Sequence, residues 1–165
     1  MDLVLEPATV DDAPEVFALK KAIAEHLTEQ FGKGNWSSYG SEDGVARSIE
    51  SPTLWLCRDA GELIAMLRLS TRKPWAIDPA YFTRVEQPLY LTDMAVLPAL
   101  QRQGVGRRLL AEAERTARAW KGDAIRLDAY EGPAGAGVFY ARCGYREVGR
   151  VTYRRVRLVY LERLL

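Results

Sequence analysis

The sequence predicts an α/β domain built around one mixed sheet. Short apolar runs and amphipathic stretches alternate along the chain, the pattern of strands and helices in a layered fold. One strongly periodic helix, residues 104–120, follows a strand, 89–96, across a glycine-containing turn. The chain has 165 residues, 48% of them hydrophobic and 27% charged. That length and composition suit one soluble domain, residues 1–165, with a core of its own.

Leu3–Leu5 reads as a strand closed by Pro7, and Thr9 with Asp12 as the start of a helix. Val16, Leu19, Ala22, Ile23 and Leu27 then recur at helical spacing as far as about Thr28. Residues 30–44, rich in Gly, Ser and aromatics, read as a loop. Ser41 caps a short helix that runs to about Glu50 and is followed by Pro52. Residues 53–58 and 63–69 are strand-like and joined by the turn Asp59-Ala60-Gly61-Glu62. Residues 71–88, with Pro74, Pro79 and Pro88, form a second long loop, and loops of that length are usually functional or disordered. In the helix of residues 104–120, Val105, Leu109, Leu110, Ala113, Ala117 and Trp120 share one face. A strand at 124–129, a short helix at 134–142 ending near Gly144, and a pair of strands at 145–153 and 155–161 complete the chain.

Composition excludes several functions. No apolar run is long enough to span a membrane, and the first residues lack the basic and apolar regions of a secretory leader. With Lys+Arg 23 against Asp+Glu 22, the chain has no overall nucleic-acid footprint. Its single histidine, His26, and the lack of a Cys-x-x-Cys pair argue against a zinc site. Cys57 and Cys143 make no disulfide framework and suit a reducing cytoplasm. The charges are nevertheless uneven: residues 1–88 carry a net −5 and residues 89–165 a net +6. A basic second half suits an anionic ligand, and an acidic first half a cationic one.

The segment Asp93-Met94-Ala95-Val96-Leu97-Pro98-Ala99-Leu100-Gln101-Arg102-Gln103-Gly104-Val105-Gly106-Arg107-Arg108 carries the chemistry. It reads strand, tight turn, helix N-terminus. Unpaired amides and the positive end of the helix dipole make such a turn a cradle for anions. Gly104 and Gly106 leave the backbone open to phosphate oxygens, and Arg102, Arg107 and Arg108 add charge. A Walker loop needs a Gly-Lys-Ser/Thr ending that is absent, and a dinucleotide fingerprint needs a third glycine where Leu109 stands. Spacing alone leaves a phosphate site of unassigned ligand.

The turn resembles the signature Gln/Arg-x-x-Gly-x-Gly/Ala of the GNAT N-acetyltransferases, through Gln101, Gly104 and Gly106. About forty residues on, Ala136-x-x-Phe139-Tyr140-x-x-x-Gly144-Tyr145 is similar to the family's second signature. The resemblance implies a GNAT-type fold: a mostly antiparallel mixed sheet, splayed at the fourth strand, with helices on both faces. It implies acetyl-coenzyme A as donor, its pyrophosphate on the amides from Arg102 to Arg107, Gln103 and Val105 included. The pantetheine arm would pair strand-like with Met94 and Val96, either side of Ala95. It also implies Tyr140 as the group that hydrogen-bonds or protonates the leaving sulfur. Where the family often carries Asn, this chain has Pro133, which supplies neither a side-chain amide nor a backbone donor.

The attacking amine must lose a proton, and an amide near Met94 would stabilise the oxyanion. Asp93 leads as the base, acting directly or through water, with Glu131 and His26 in reserve. Asp93 reads equally well as a helix-capping or salt-bridged carboxylate. Asp128 and Tyr130 are further candidates for the cleft, and Trp36, Trp75, Tyr81 and Phe82 for an acceptor pocket. The expected reaction moves acetyl from acetyl-coenzyme A directly to a primary amine of a small molecule, without a metal. A peptide or protein amine is the close alternative, and a non-catalytic acyl-coenzyme A sensor the more distant one. A homodimer through the terminal strands is an expected assembly of such a fold.

Overall fold

The structure, a computed structural model, describes residues 3–51 and 53–165. Seven strands form one mixed sheet: β1 (Leu5–Pro7), β2 (Leu54–Asp59), β3 (Glu62–Ser70), β4 (Pro88–Val96), β5 (Ala124–Tyr130), β6 (Arg146–Tyr153) and β7 (Val156–Leu164). Their order is β1-β2-β3-β4-β5-β7-β6. β4 and β5 run parallel, whereas β1 with β2, β2 with β3, β5 with β7 and β6 with β7 run antiparallel. The four α-helices are α1 (Ala13–Phe31), α2 (Glu42–Ile49), α3 (Val105–Ala119) and α4 (Gly137–Arg142). The chain divides into two compact units, Met1–Arg68 with Asp93–Leu109, and Leu69–Thr92 with Leu110–Leu165.

In the first unit, Val16 and Leu19 of α1, Val45 and Ile49 of α2, and Leu54, Leu56, Leu63 and Met66 of the β2–β3 hairpin form one core. α1 begins where the Asp12 carboxylate accepts from the amide and hydroxyl of Thr9, at 2.7 and 3.1 Å. It runs one turn beyond the expected Thr28, because Thr28 turns its hydroxyl onto the Ala24 carbonyl, 2.7 Å away, and stays within the helix. The chain leaves the helix at Gly32. Ser41 caps α2 as expected, accepting from the Gly44 amide. Pro52, expected just past that helix, lies outside the described residues. Arg58 on β2 donates to Glu6 and Asp12 at 2.9 and 2.8 Å and also pairs with Glu15, which ties the hairpin to the chain's first turns.

In the second unit, the long segment before β4 is anchored by buried polar groups. Glu162 on β7, 1% exposed, accepts from the Thr83 amide and hydroxyl and from Arg146. Arg126 on β5 donates to the Thr83 carbonyl at 2.8 Å and lies over the Phe82 ring. The Tyr160 hydroxyl accepts from the Asp78 amide at 3.1 Å and donates to the Ala76 carbonyl. Ile77, Phe82, Tyr90 and Tyr160 pack together as one cluster of this unit's buried residues. β1 sits two residues later than expected, with Pro7 inside it opposite Trp55, and three further elements differ from the sequence reading. α3 stops at Ala119, so Trp120 lies beyond it, 40% exposed, and not on the buried face. α4 starts at Gly137 and not near 134, because the preceding residues make a tight turn in which Gly135 sits on the Tyr130 carbonyl. A Cβ at Gly135 would come within 1.7 Å of that oxygen. β7 runs on to Leu164, its pairing with β5 holding as far as Ala124.

Candidate functional site

β4 ends in the first unit, at the residues read as chemical. Asp93 has φ +50°, a left-handed backbone that a non-glycine residue rarely adopts inside a strand. Its carboxylate accepts from Lys20 of α1 at 3.3 Å and from Arg68 Nε of β3 at 2.9 Å. Arg68 is itself held by the Thr53 hydroxyl at 2.8 Å and the Ser48 carbonyl at 3.2 Å. Burial works against ionisation of Asp93, but Lys20 and Arg68 outweigh it and hold the carboxyl below its ordinary range. Neither cation was readable as a partner, since they stand 73 and 25 residues away in sequence.

After Asp93, Ala95 and Leu97 pack against the first unit's core. In an extended chain, Met94 and Val96 then point the other way. The Leu97 amide donates to the Ile64 carbonyl at 2.8 Å, and Pro98–Leu100 make a single tight turn. The Gln101 side chain donates back to the Val96 carbonyl at 3.2 Å, and that of Gln103 to the Ala99 carbonyl at 2.9 Å. Arg102 and Gly104 take left-handed backbones, φ +62° and +85°, and α3 begins at Val105. The first helical bond is Arg108 N–H to the Gly104 carbonyl. Among the described residues, no carbonyl accepts from the amides of Gly104, Val105, Gly106 and Arg107. Those amides and the arginines beside them make a surface suited to a diphosphate.

The second unit holds most of the other candidates. Asp128 and Tyr130 lie on β5, and Tyr140 on α4 is buried, its ring edge-on to Tyr145 at 5.7 Å. Burial raises the Tyr140 phenol, and the charge of Asp128 raises it further, so the hydroxyl stays protonated. Burial also raises the Asp128 carboxyl, and no cation lies within 4 Å of it among the described residues. Asp128 and Tyr140 thus act on one another electrostatically, while Asp93 acts with Lys20 and Arg68. The signal for Asp128 in the sequence was an acid towards the end of a mostly apolar strand; the structure sets it opposite Tyr160 across the β5–β7 pair. The reserve base Glu131 is taken by Arg150 and Arg157, each at 3.0 Å. His26 is half-buried on α1. Of the aromatics proposed for a pocket, Phe82 is in the core, and Trp36 donates to the Gly32 carbonyl at 2.9 Å, pinning its own loop. Trp75 and Tyr81 do line a pocket in the second unit. Among the described residues, no group of three His, Cys, Asp or Glu is placed to hold a metal ion.

The sequence model of the acetyltransferase (GNAT) family matches residues 20–145. Among curated sequences none matches the chain. Solved structures resemble it over nearly its whole length. A GNAT-family acetyltransferase of Listeria monocytogenes has TM-score 0.77 at 20% identity, covering 99% of this chain and 95% of its own. A ribosomal-protein-alanine N-acetyltransferase of Brucella melitensis has TM-score 0.72 at 18% identity, covering 99% and 100%. A PaiA N-acetyltransferase of Thermoplasma acidophilum, solved in complex with coenzyme A, has TM-score 0.72 at 13% identity, covering all of both chains.

Proposed function

Since this chain belongs to the acetyltransferase (GNAT) family, we propose that it is an N-acetyltransferase that moves acetyl from acetyl-coenzyme A directly to a primary amine of a small molecule. The observation that carries the donor assignment is the row of four unpaired amides, Gly104–Arg107, at the start of α3. These amides, with Gln101, Arg102 and Gln103 around them, hold the donor's pyrophosphate. The backbone of Met94 and Val96, with Ala95 turned into the core between them, pairs with the pantetheine arm. The solved relative with coenzyme A supports the same ligand for this fold. The two units act as one domain, for β4 and α3 each run through both.

Bound acetyl-coenzyme A supplies an activated thioester. The chain has to take a proton from the acceptor ammonium, steady the oxyanion and return a proton to sulfur. The Met94 amide serves the oxyanion. Tyr140, kept protonated by burial, serves the sulfur as acid. For the base we assign Asp128 in place of Asp93. Basicity falls with pKa: two cations lower Asp93, whereas burial raises Asp128. Asp93 then works as a positioning residue, holding the left-handed kink that precedes Met94.

No helix among the described residues is long and apolar enough to cross a membrane. Cys57 and Cys143 form no disulfide, which supports a reducing, cytoplasmic setting. β6 forms one edge of the sheet, where a second copy can pair to give a homodimer. The deciding experiment follows thiol release from acetyl-coenzyme A over a panel of amines, beside calorimetric titration of coenzyme A. Turnover on a small amine supports the assignment, and turnover on peptide amines alone transfers it to a protein substrate. Tight coenzyme A binding without any turnover means a sensor, and no coenzyme A binding overturns the reading.

A further inference from the structure

The second unit contains a pocket of about 460 Å³, lined by Trp75, Asp78 and Tyr81 of the long segment before β4 and by Arg150, Tyr153 and Tyr160 of β6 and β7. The volume is that of a small-ligand site. Its walls are built. Tyr81 stands over Gly149, where a Cβ would come within 2.4 Å of the ring, and packs edge-on to Tyr160 at 5.5 Å. The Tyr160 hydroxyl clasps Asp78 and Ala76, fixing the opposite wall. At the rim, Trp75 is 82% exposed, a large apolar surface left in water.

Charge around the pocket is unevenly compensated. Arg150 lines it but is held by Glu131 at 3.0 Å and Glu147 at 2.6 Å. Arg154 lies over the Tyr153 ring, and the Lys73 ammonium is turned to the Pro74 and Ile77 carbonyls. Asp78 accepts from the Ala80 amide and pairs with no cation among the described residues. One wall residue, Tyr160, is paired with the proposed base. Asp128 is the register partner of Tyr160, so the two side chains share one face of the sheet.

We infer that this pocket, with Trp75 and Tyr81 beside an uncompensated Asp78 and with Asp128 on the strand paired to its buried Tyr160 wall, binds an organic cation and seats the cationic part of the acceptor. Aromatic faces and a carboxylate together recognise an ammonium group, which an apolar molecule of the same shape cannot exploit. As a statement about the acceptor, this rests on the acetyl-transfer reading; as a statement about binding, it does not.

The test is an NMR titration of the intact protein, following the Ile77 amide, with benzyltrimethylammonium and with benzyl alcohol as its neutral counterpart. The expected result is saturable binding of the cation, about tenfold tighter than the alcohol, weakened about tenfold by Asp78→Asn and by Trp75→Ala. Asn retains the cap on Ala80, and Trp75 is exposed, so both variants should fold. No saturable binding at concentrations on the order of 10 mM, equal affinity for the alcohol, or undiminished affinity in either variant would overturn the inference. Coenzyme A is titrated in parallel. Loss of coenzyme A binding with cation binding intact counts against the acetyl-transfer reading, and the converse against the pocket.

Discussion

Arg68 donates its Nε–H to the Asp93 carboxylate at 2.9 Å, and Asp93 is the residue at which β4 turns left-handed, φ +50°. The acid most prominent in the sequence beside the proposed thioester site is therefore clamped at the kink by a strand neighbour and by Lys20.

Asp93→Ala should cost about 1–3 kcal/mol, since it strands Arg68 and Lys20 and leaves alanine at a positive φ. Asp93→Asn, which tolerates that backbone and still accepts from Arg68, should cost less. The sign with pH follows from a lowered folded pKa: the stabilisation is full above the unfolded value and is lost as pH falls through the folded one. Urea melts should show the gap between wild type and Asp93→Asn constant near neutrality and closing below about pH 4.

Tyr140→Phe should lower kcat about tenfold to a hundredfold and leave coenzyme A affinity unchanged. Steady-state rates with calorimetry on the same preparation separate the two quantities. A weakened coenzyme A affinity would mean that the hydroxyl supports the donor site and is not the acid.

Asp128→Asn should remove most of the rate while raising thermal stability at neutral pH. Its folded pKa is raised, so the charged carboxylate opposes folding once pH passes the unfolded value. The wild-type kcat/KM should fall as acid protonates this base, and the variant should lose that limb. An activity loss in Asp93→Asn greater than in Asp128→Asn would return the base to Asp93.

Gly104→Ala should weaken coenzyme A binding several-fold and cost about 1 kcal/mol of stability, because alanine is strained at φ +85°. Calorimetry gives the first quantity and a urea melt the second.

Glu162→Ala should destabilise the protein by about 1–3 kcal/mol, since it takes the buried carboxylate away from the part-buried amide and hydroxyl of Thr83 and removes the ion pair with Arg146. Susceptibility of the segment before β4 to proteolysis should rise with it. Glu162 is held below its ordinary range despite burial, by Thr83 and Arg146, so its contribution too is lost on acidification.

Local rules made most of the fold legible in the sequence. Period-3.6 and strand-like apolar runs placed every α-helix and strand, usually to within a few residues, and the Gln101–Gly106 turn announced a row of open amides because unpaired first-turn amides follow from helix geometry itself. Where boundaries were missed, as at Trp120 and before Gly137, tertiary crowding decided them. Side-chain roles were a different matter. Whether Asp93 is a free base or a clamped anion depends on Lys20 and Arg68, and whether Asp128 is raised depends on what buries it. The segment from Trp75 to Phe82 read as a loop of candidate aromatics, and only the structure sorted Phe82 into the core and Trp75 and Tyr81 into a pocket wall. Amide availability and apolar periodicity are properties of consecutive residues, so the sequence by itself determined the fold and the open amides at the start of α3. Basicity and shape depend on charges and rings brought together from distant parts of the chain, and these only the tertiary structure decided.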